Sequence, residues 1–351
     1  MVVVTVMSLI SVNASACDTS EVSGSNWMSC LPDDIPLNEL SIPGAHDATA
    51  VKTRYFTQTA AQTQSLFSDD MLKACVRYFD LRIYKKNNDF YMCHQSVNCK
   101  DRDGSDLKLQ TVIDNMTGFL DENPGEALIL QIKSDRDGNK NDQSIADYFK
   151  DLALQCKIYI GDTVPTLGQA RGKMVILSRL DLGKNTSTAK YQMPNCGDKQ
   201  VYWAIDVHTF NWGDEKNKTM TLTAEDLDYE VWTEDEFDVT RNEKWAYVTN
   251  SLLGDKSAAV RRDAAKDAGK HAWSIVYTSL SHQSVVGVIG EIALPFFNFD
   301  PIVFPKDGAD TINPKLLTRL REYSDLYTGC LVCDFINAEL AGTIYMRNFN
   351  R

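Results

Sequence analysis

The stretch Val76-Arg-Tyr-Phe-Asp-Leu-Arg-Ile83 reads as a β-strand with apolar residues on both faces, the pattern of a parallel sheet covered by helices. Asp80 and Arg82 lie two apart in it, so a strand projects both side chains from one face. Similar runs recur on either side: Leu40-Ser-Ile42, Phe90-Tyr-Met-Cys93, Ala127-Leu-Ile-Leu-Gln-Ile132, Met174-Val-Ile-Leu177, Val201-Tyr-Trp-Ala-Ile205, Trp273-Ser-Ile-Val-Tyr277 and Leu331-Val-Cys333. Helical stripes separate several of them: Val112, Met116, Phe119 and Leu120; Ile145, Tyr148, Phe149 and Leu152; Leu316, Leu317, Leu320 and Tyr323. About eight strands with intervening helices favour a single α/β barrel over an open doubly wound sheet. No glycine-rich phosphate loop follows an early strand, which argues against a nucleotide-binding fold.

The chain has 351 residues, 43% of them hydrophobic and 24% charged, ordinary values for a folded domain. Its net charge of −12 and lack of a basic run exclude a nucleic-acid binder and leave bulk charge unable to hold it to anionic lipid. Residues 1–16 read as a secretory signal peptide: an apolar run from Met1 to Ile10, then Ala14-Ser-Ala16 as a small-residue cleavage site. Residues 17–351 are then the mature barrel, and a secreted location is expected. Nine cysteines suit an oxidising compartment, with Cys17–Cys30 and Cys93–Cys99 as candidate local bridges. Cys330-Leu-Val-Cys333 lies in an apolar run without further ligands and reads as buried thiols. Asn115, Asn185 and Asn217 head glycosylation sequons.

The residues able to do chemistry gather at strand ends. His46 follows the first run, in which Pro43-Gly44 is expected to break the strand; His94 ends the third; Lys133 follows the fourth and Asp334 the last. In a barrel these positions face the mouth where reactive loops meet. Two histidines, each oriented by a carboxylate, make a general base and a general acid. An arginine offers two parallel donors to phosphate oxygens and keeps its charge at any working pH. No nucleophilic serine elbow or metal-binding helix motif accompanies them, which suits a substrate carrying its own attacking hydroxyl, as a phosphodiester with a vicinal hydroxyl does. His208, His271 and His282 lack such company and read as structural.

Leu40-Ser-Ile-Pro-Gly-Ala-His-Asp47 resembles the first signature of phosphatidylinositol-specific phospholipase C, and Val76–Arg82 resembles its second strand. Phe90–His94, Ala127–Lys133, Ala170–Arg179, Tyr277–Ser281 and Val332–Asn337 resemble later segments of the bacterial type, in order. The resemblance implies an irregular TIM-like (β/α)8 barrel that cleaves phosphatidylinositol, or a glycosyl-phosphatidylinositol anchor, to diacylglycerol and inositol 1,2-cyclic phosphate. It makes His46 the base, oriented by Asp334, and His94 the acid, assisted by Asp80. Arg82 would stabilise the phosphate charge, and Asp47 would hold the surrounding geometry. Lys133, Arg179, Asp235 and Phe237 would meet the inositol ring. Calcium-dependent members carry a carboxylate where Arg82 stands, so no cofactor and no metal is expected. Gln95 stands where the family often has glycine after the second histidine.

The expected partner is the inositol lipid, met in transient contact with a membrane surface by a monomer, with Phe210-Asn-Trp212 and Leu294-Pro-Phe-Phe297 as candidate inserting loops. Three competing readings are a non-catalytic relative binding inositol phosphates, a metal-dependent barrel phosphodiesterase of the glycerophosphodiesterase or sphingomyelinase D type, and an extracellular structural glycoprotein.

Overall fold

In the computed structural model of the chain, residues 25–53, 58–136, 138–161, 163–182, 203–207, 220–223, 229–281 and 303–350 are described. Along the chain run β1 (Ile42–Ala45), α1 (Gln58–Ala61), α2 (Ser68–Lys73), β2 (Tyr78–Lys86), β3 (Asp89–His94), β4 (Val97–Asn98), α3 (Leu109–Glu122), β5 (Leu128–Ser134), α4 (Asp142–Leu154), α5 (Leu167–Ala170), β6 (Met174–Ser178), β7 (Ala204–Asp206), β8 (Met220–Thr223), β9 (Tyr229–Glu234), α6 (Arg241–Leu253), α7 (Ala258–Asp267), β10 (His271–Tyr277), α8 (Pro305–Glu322), β11 (Cys330–Cys333) and α9 (Ala338–Tyr345).

Strands β7, β6, β5, β2, β1, β11, β10 and β9 lie side by side in that order, every neighbouring pair parallel. β8 adds to β9 antiparallel. The first strand pairs directly with the last, Ile42 opposite Cys330 and Ala45 opposite Cys333, while among the described residues β7 and β8 form the two edges of the curled sheet. The architecture is an irregular TIM-like α/β barrel, with parallel strands curled around an interior of side chains.

Two expectations about strands are corrected. Phe90–Cys93 is not a barrel strand: β3 folds back on β2 antiparallel, Lys86 opposite Asp89 and Ile83 opposite Met92, because only a short turn at Asn87 joins them and a parallel crossover needs a dozen residues or more. The eighth parallel strand is β9 instead. Pro43-Gly44 does not break the first strand either; β1 runs through both. Its ladder with β2 begins only at Gly44 opposite Tyr78, so the missing N–H of Pro43 is not needed there. Gly44 is the residue that fits: a Cβ in its place would lie 3.0 Å from Cβ of Tyr78 and 3.2 Å from the carbonyl oxygen of Leu331.

The bottom of the barrel, at the strands' N-terminal ends, is plugged by the segment before β1. Trp27 is fully buried, stacks on Tyr345 at 5.1 Å and donates its indole N–H to the carbonyl of Cys75. Arg77, also fully buried, donates from Nε to Glu126 Oε2 (2.9 Å) and from its terminal nitrogens to the carbonyls of Leu72, Val76 and Ser25. Glu126 Oε1 accepts from the backbone N–H of Ser29. Because neither charge reaches water, removing one strands the other: Arg77→Leu should destabilise the fold by about 3–5 kcal/mol, read in a denaturant melt at neutral pH.

Cys30 is disulfide-bonded. Cys93 and Cys99 are free thiols, which overturns the proposed bridge. Cys93 faces Asn98 across the β3–β4 hairpin, so the next residue, Cys99, points to the opposite side. Cys330 and Cys333 are buried thiols, as read. Asn115 lies within α3 with its amide nitrogen donating to Ser68 Oγ, a half-buried setting that disfavours a glycan. Residues 1–16, Cys17, Asn185, Asn217, His208, His282 and both proposed inserting loops lie outside the described residues. Among the described residues no helix is long and apolar enough to cross a membrane.

Candidate active site

Three chain positions leave the top of the barrel in the same unusual way. His46, His94 and Asp334 are followed by Asp47 (φ 40°), Gln95 (φ 50°) and Phe335 (φ 47°), non-glycine residues in the left-handed region. Such backbone costs about 1–3 kcal/mol per residue and persists only where neighbours enforce it. The sharp turn lets each strand stop with its last side chain aimed into the mouth. Glycine would take this φ without penalty, so Gln95 stands there at a cost that its neighbours must offset.

His46 stands between two charges. Its Nδ1 lies 2.6 Å from Asp334 Oδ1, and Arg82 Nη2 donates to its Nε2 at 2.7 Å. A guanidinium has no lone pair to offer, so Nε2 must be the acceptor and Nδ1 the protonated nitrogen, which donates to Asp334. The free site therefore holds a neutral imidazole with its basic nitrogen turned to the mouth. Burial alone would lower the His46 pKa; the charge and hydrogen bond of Asp334 outweigh it, and the net shift is upward from the ordinary 6.5. Tyr277 at the end of β10 sets its ring edge-on to the imidazole, 5.6 Å between centroids.

The second histidine corrects an expectation. His94 Nδ1 lies 2.8 Å from Asp47 Oδ2, an ion-pair distance though off the line of a good hydrogen bond. Asp80, expected to assist His94, serves Arg82 instead: its Oδ2 accepts from Arg82 Nε (3.4 Å) and Nη2 (3.2 Å), and from the backbone N–H of Asp47 (3.2 Å). The β2–β3 hairpin turns the chain back so that His94 meets Asp47, in the turn after β1. Burial would raise the Asp80 pKa, but Arg82 and then His46 hold the carboxyl well below its usual range. Its Oδ1 accepts from Gln131 Nε2, whose amide oxygen accepts from the hydroxyls of Tyr78 and Tyr277. This buried chain across three strands leaves Arg82 one fixed anchor.

Sequence reasoning passed over Asp135. Its side chain is only 3% exposed and binds Lys133 Nζ at 2.6 Å; its Oδ2 takes the backbone N–H of Gln95 at 2.6 Å and faces Arg82 Nη1 at 3.9 Å. Arg136 Nε donates to the Gln95 carbonyl, so the turn after His94 is gripped from both sides. The period of β5 was the available signal, since Asp135 lies two residues beyond Lys133.

Lys133, at the C-terminal end of β5, and Arg179, just past β6, sit on the same rim. Asp235 follows β9. Burial raises its pKa, while the charges of Arg179, His46, Lys244 and Arg82 oppose the shift, which places it facing the same space. Lys244 of α6, fully buried, binds both carboxylate oxygens of Glu234 and the carbonyl of Glu236, and so fixes the turn that presents Asp235. That burial pushes the Glu234 carboxyl up to about 7 against the pull of Lys244. Phe237 is 46% exposed at the outer edge of the turn, and none of the catalytic candidates contacts it among the described interactions. His271 opens β10 at the opposite end of the barrel. Among the described residues, no three histidine, cysteine or acidic side chains converge as a metal site would require.

The mouth of the barrel thus joins two histidine–carboxylate pairs around an arginine. Residues 34–180 match the family model of the phosphatidylinositol-specific phospholipase C X domain. The chain is 32% identical over 167 residues to the 1-phosphatidylinositol phosphodiesterase of Listeria monocytogenes, covering 45% of this chain and 50% of the relative. It is 26% identical over 176 residues to the enzyme of the same name from Staphylococcus aureus, covering 48% and 55%. In sequence, the chain thus spans about half the length of the curated relatives it matches. In three dimensions it is similar to the Listeria monocytogenes phosphatidylinositol-specific phospholipase C, with a TM-score of 0.64 and 21% identity over 93% of this chain and 99% of that one.

Proposed function

We propose that the chain is a phosphatidylinositol-specific phospholipase C of the bacterial type, a phosphorus–oxygen lyase that needs no metal. The observation that carries this is the disposition of His46–Asp334 and His94–Asp47 on either side of Arg82. In the free site Arg82 occupies the lone pair of His46 Nε2. A substrate phosphate draws the guanidinium to its non-bridging oxygens, and the inositol 2-hydroxyl takes over that lone pair. His46 removes the hydroxyl proton as the oxygen attacks phosphorus. The bond from phosphorus to the glycerol oxygen breaks, and His94 gives that oxygen its proton. Inositol 1,2-cyclic phosphate and diacylglycerol result. Arg82 provides the positive charge that calcium provides elsewhere in the family, and would repel a cation from the same spot.

Lys133, Arg179 and Asp235 supply donors and an acceptor for ring hydroxyls, with Phe237 at the rim. The same bond is present in glycosyl-phosphatidylinositol anchors, so the substrate class is the inositol phosphodiester lipid. Residues 1–16 as a signal peptide, secretion and transient membrane contact by a monomer belong to the same reading, supported by the disulfide at Cys30. One solved Staphylococcus aureus relative is described by the modulation of its membrane binding.

The test is release of diacylglycerol from mixed micelles of phosphatidylinositol or of phosphatidylcholine. Release from the first alone is expected; release from neither, or equally from both, would overturn the assignment. The pH profile follows from the charge on His46. Its pKa is raised, so the base is protonated below that value and kcat/KM falls as the pH drops through a midpoint above about 6.5. Asp334→Asn removes the cause of the rise and should shift that acid limb to lower pH as well as lower the rate.

A further inference from the structure

The two strained turns beside His46 and Asp334 share one support that touches no catalytic side chain. Gln64 and Thr63 are both fully buried. The Gln64 amide nitrogen donates to the carbonyls of His46 and Cys333, 2.8 Å each, and its amide oxygen accepts from the N–H of Ile336 at 3.2 Å. One side chain thus joins the last residue of β11, directly before Asp334, to the first residue beyond β1, His46 itself. Thr63 does the same for the neighbouring turn: its hydroxyl donates to the carbonyl of Asp47 (2.9 Å), and its own carbonyl accepts from the N–H of Phe335 (2.7 Å). Both bind backbone of residues at or beside positive φ, where the chain would otherwise relax.

We infer that Thr63-Gln64 is the positioning element of this site, with Gln64 setting the His46–Asp334 contact and Thr63 setting the carbonyl side of Asp47. The inference rests on the proposed reaction for its kinetic readout only. A buried amide that satisfies all its hydrogen-bonding atoms on three backbone groups is a specific clamp, since no apolar side chain of the same size reproduces it. The contact it maintains is short, 2.6 Å, and hydrogen bonding to a charged partner falls steeply with misalignment. The groups facing His46 are Asp334 from the end of β11, Arg82 and Asp80 from β2, Tyr277 from β10 and Asp235 from the end of β9; Gln64 adds no charge to them. Its effect on His46 therefore passes through geometry alone.

The experiment compares wild type with Gln64→Met, which fills the same volume, and Thr63→Val. Histidine ring protons are titrated by NMR in the free protein, the His46 signal being assigned by its absence in His46→Asn. Turnover of phosphatidylinositol micelles is measured in parallel. Gln64→Met should bring the His46 midpoint down towards the ordinary imidazole value and lower kcat by about tenfold to a hundredfold with KM little changed. Thr63→Val should lower kcat while leaving that midpoint where it is. The inference is overturned if Gln64→Met keeps the wild-type midpoint, if either variant keeps the wild-type kcat, or if activity falls only in step with the folded fraction in a thermal melt. The titration needs no substrate. A wild type that turns over nothing would remove the reaction, while a lowered midpoint in Gln64→Met would still support the clamp.

Discussion

His46→Asn and His94→Asn are each expected to lower kcat on phosphatidylinositol by about 10²–10⁴-fold with KM nearly unchanged, the effect of deleting a general base or acid. The double variant should be little worse than either single one, because the two groups act on one proton pathway and neither works fully without the other. The free structure shows how the pair is prepared. His46 accepts from the arginine at Nε2 and is oriented by Asp334 at Nδ1, while His94 answers to Asp47. Steady-state rates on micelles check this. Single variants retaining a tenth or more of the wild-type rate would remove these histidines from proton transfer.

Arg82→Gln carries the second large effect, on rate and on folding together. Loss of the phosphate donor should lower kcat by about 10²–10³-fold. Asp80 and Asp47 are buried, and Asp135 nearly so, all within 4 Å of the guanidinium. Without it they form an acidic cluster with no central cation, and stability should fall by about 3–5 kcal/mol. Acidification should recover part of that loss as the carboxylates protonate. Arg82→Lys should restore charge and some stability but not the rate, since an ammonium cannot keep a two-donor grip on Asp80 while serving two phosphate oxygens. Chemical denaturation at neutral and acidic pH, set beside the rates, separates the two effects.

Much of the barrel was legible in the sequence because a strand buried on both faces leaves a continuous apolar run. That is why β1, β2, β5, β6, β10 and β11 stood out. Tyr229-Glu-Val-Trp-Thr-Glu234 did not: its charges alternate with its apolar residues, as suits a strand next to the antiparallel β8. Helix α6 was missed although Thr240 and Glu243 form a capping box at its start, a signal that local pattern carries. At the site, strand-end placement singled out His46, His94, Lys133 and Asp334, and the strand period put Asp80 and Arg82 on one face. The partner of His94 was not singled out, because it depends on the β2–β3 hairpin turning the chain back. The bonds of Gln64 and the bond of Asp135 to the Gln95 N–H were equally hidden, since they go to backbone atoms of residues distant in sequence. Side-chain identity reports which chemistry is present; which carboxylate meets which histidine is a property of the turns.

The most direct measurement is phosphorus NMR of the water-soluble product released from phosphatidylinositol in the presence of EDTA. A resonance of the five-membered cyclic phosphate, appearing at the wild-type rate and absent with His46→Asn, is the expected result. A product that is acyclic from the earliest time point, or turnover that stops in EDTA and returns with calcium, would contradict a metal-free attack by the substrate's own hydroxyl between His46 and His94.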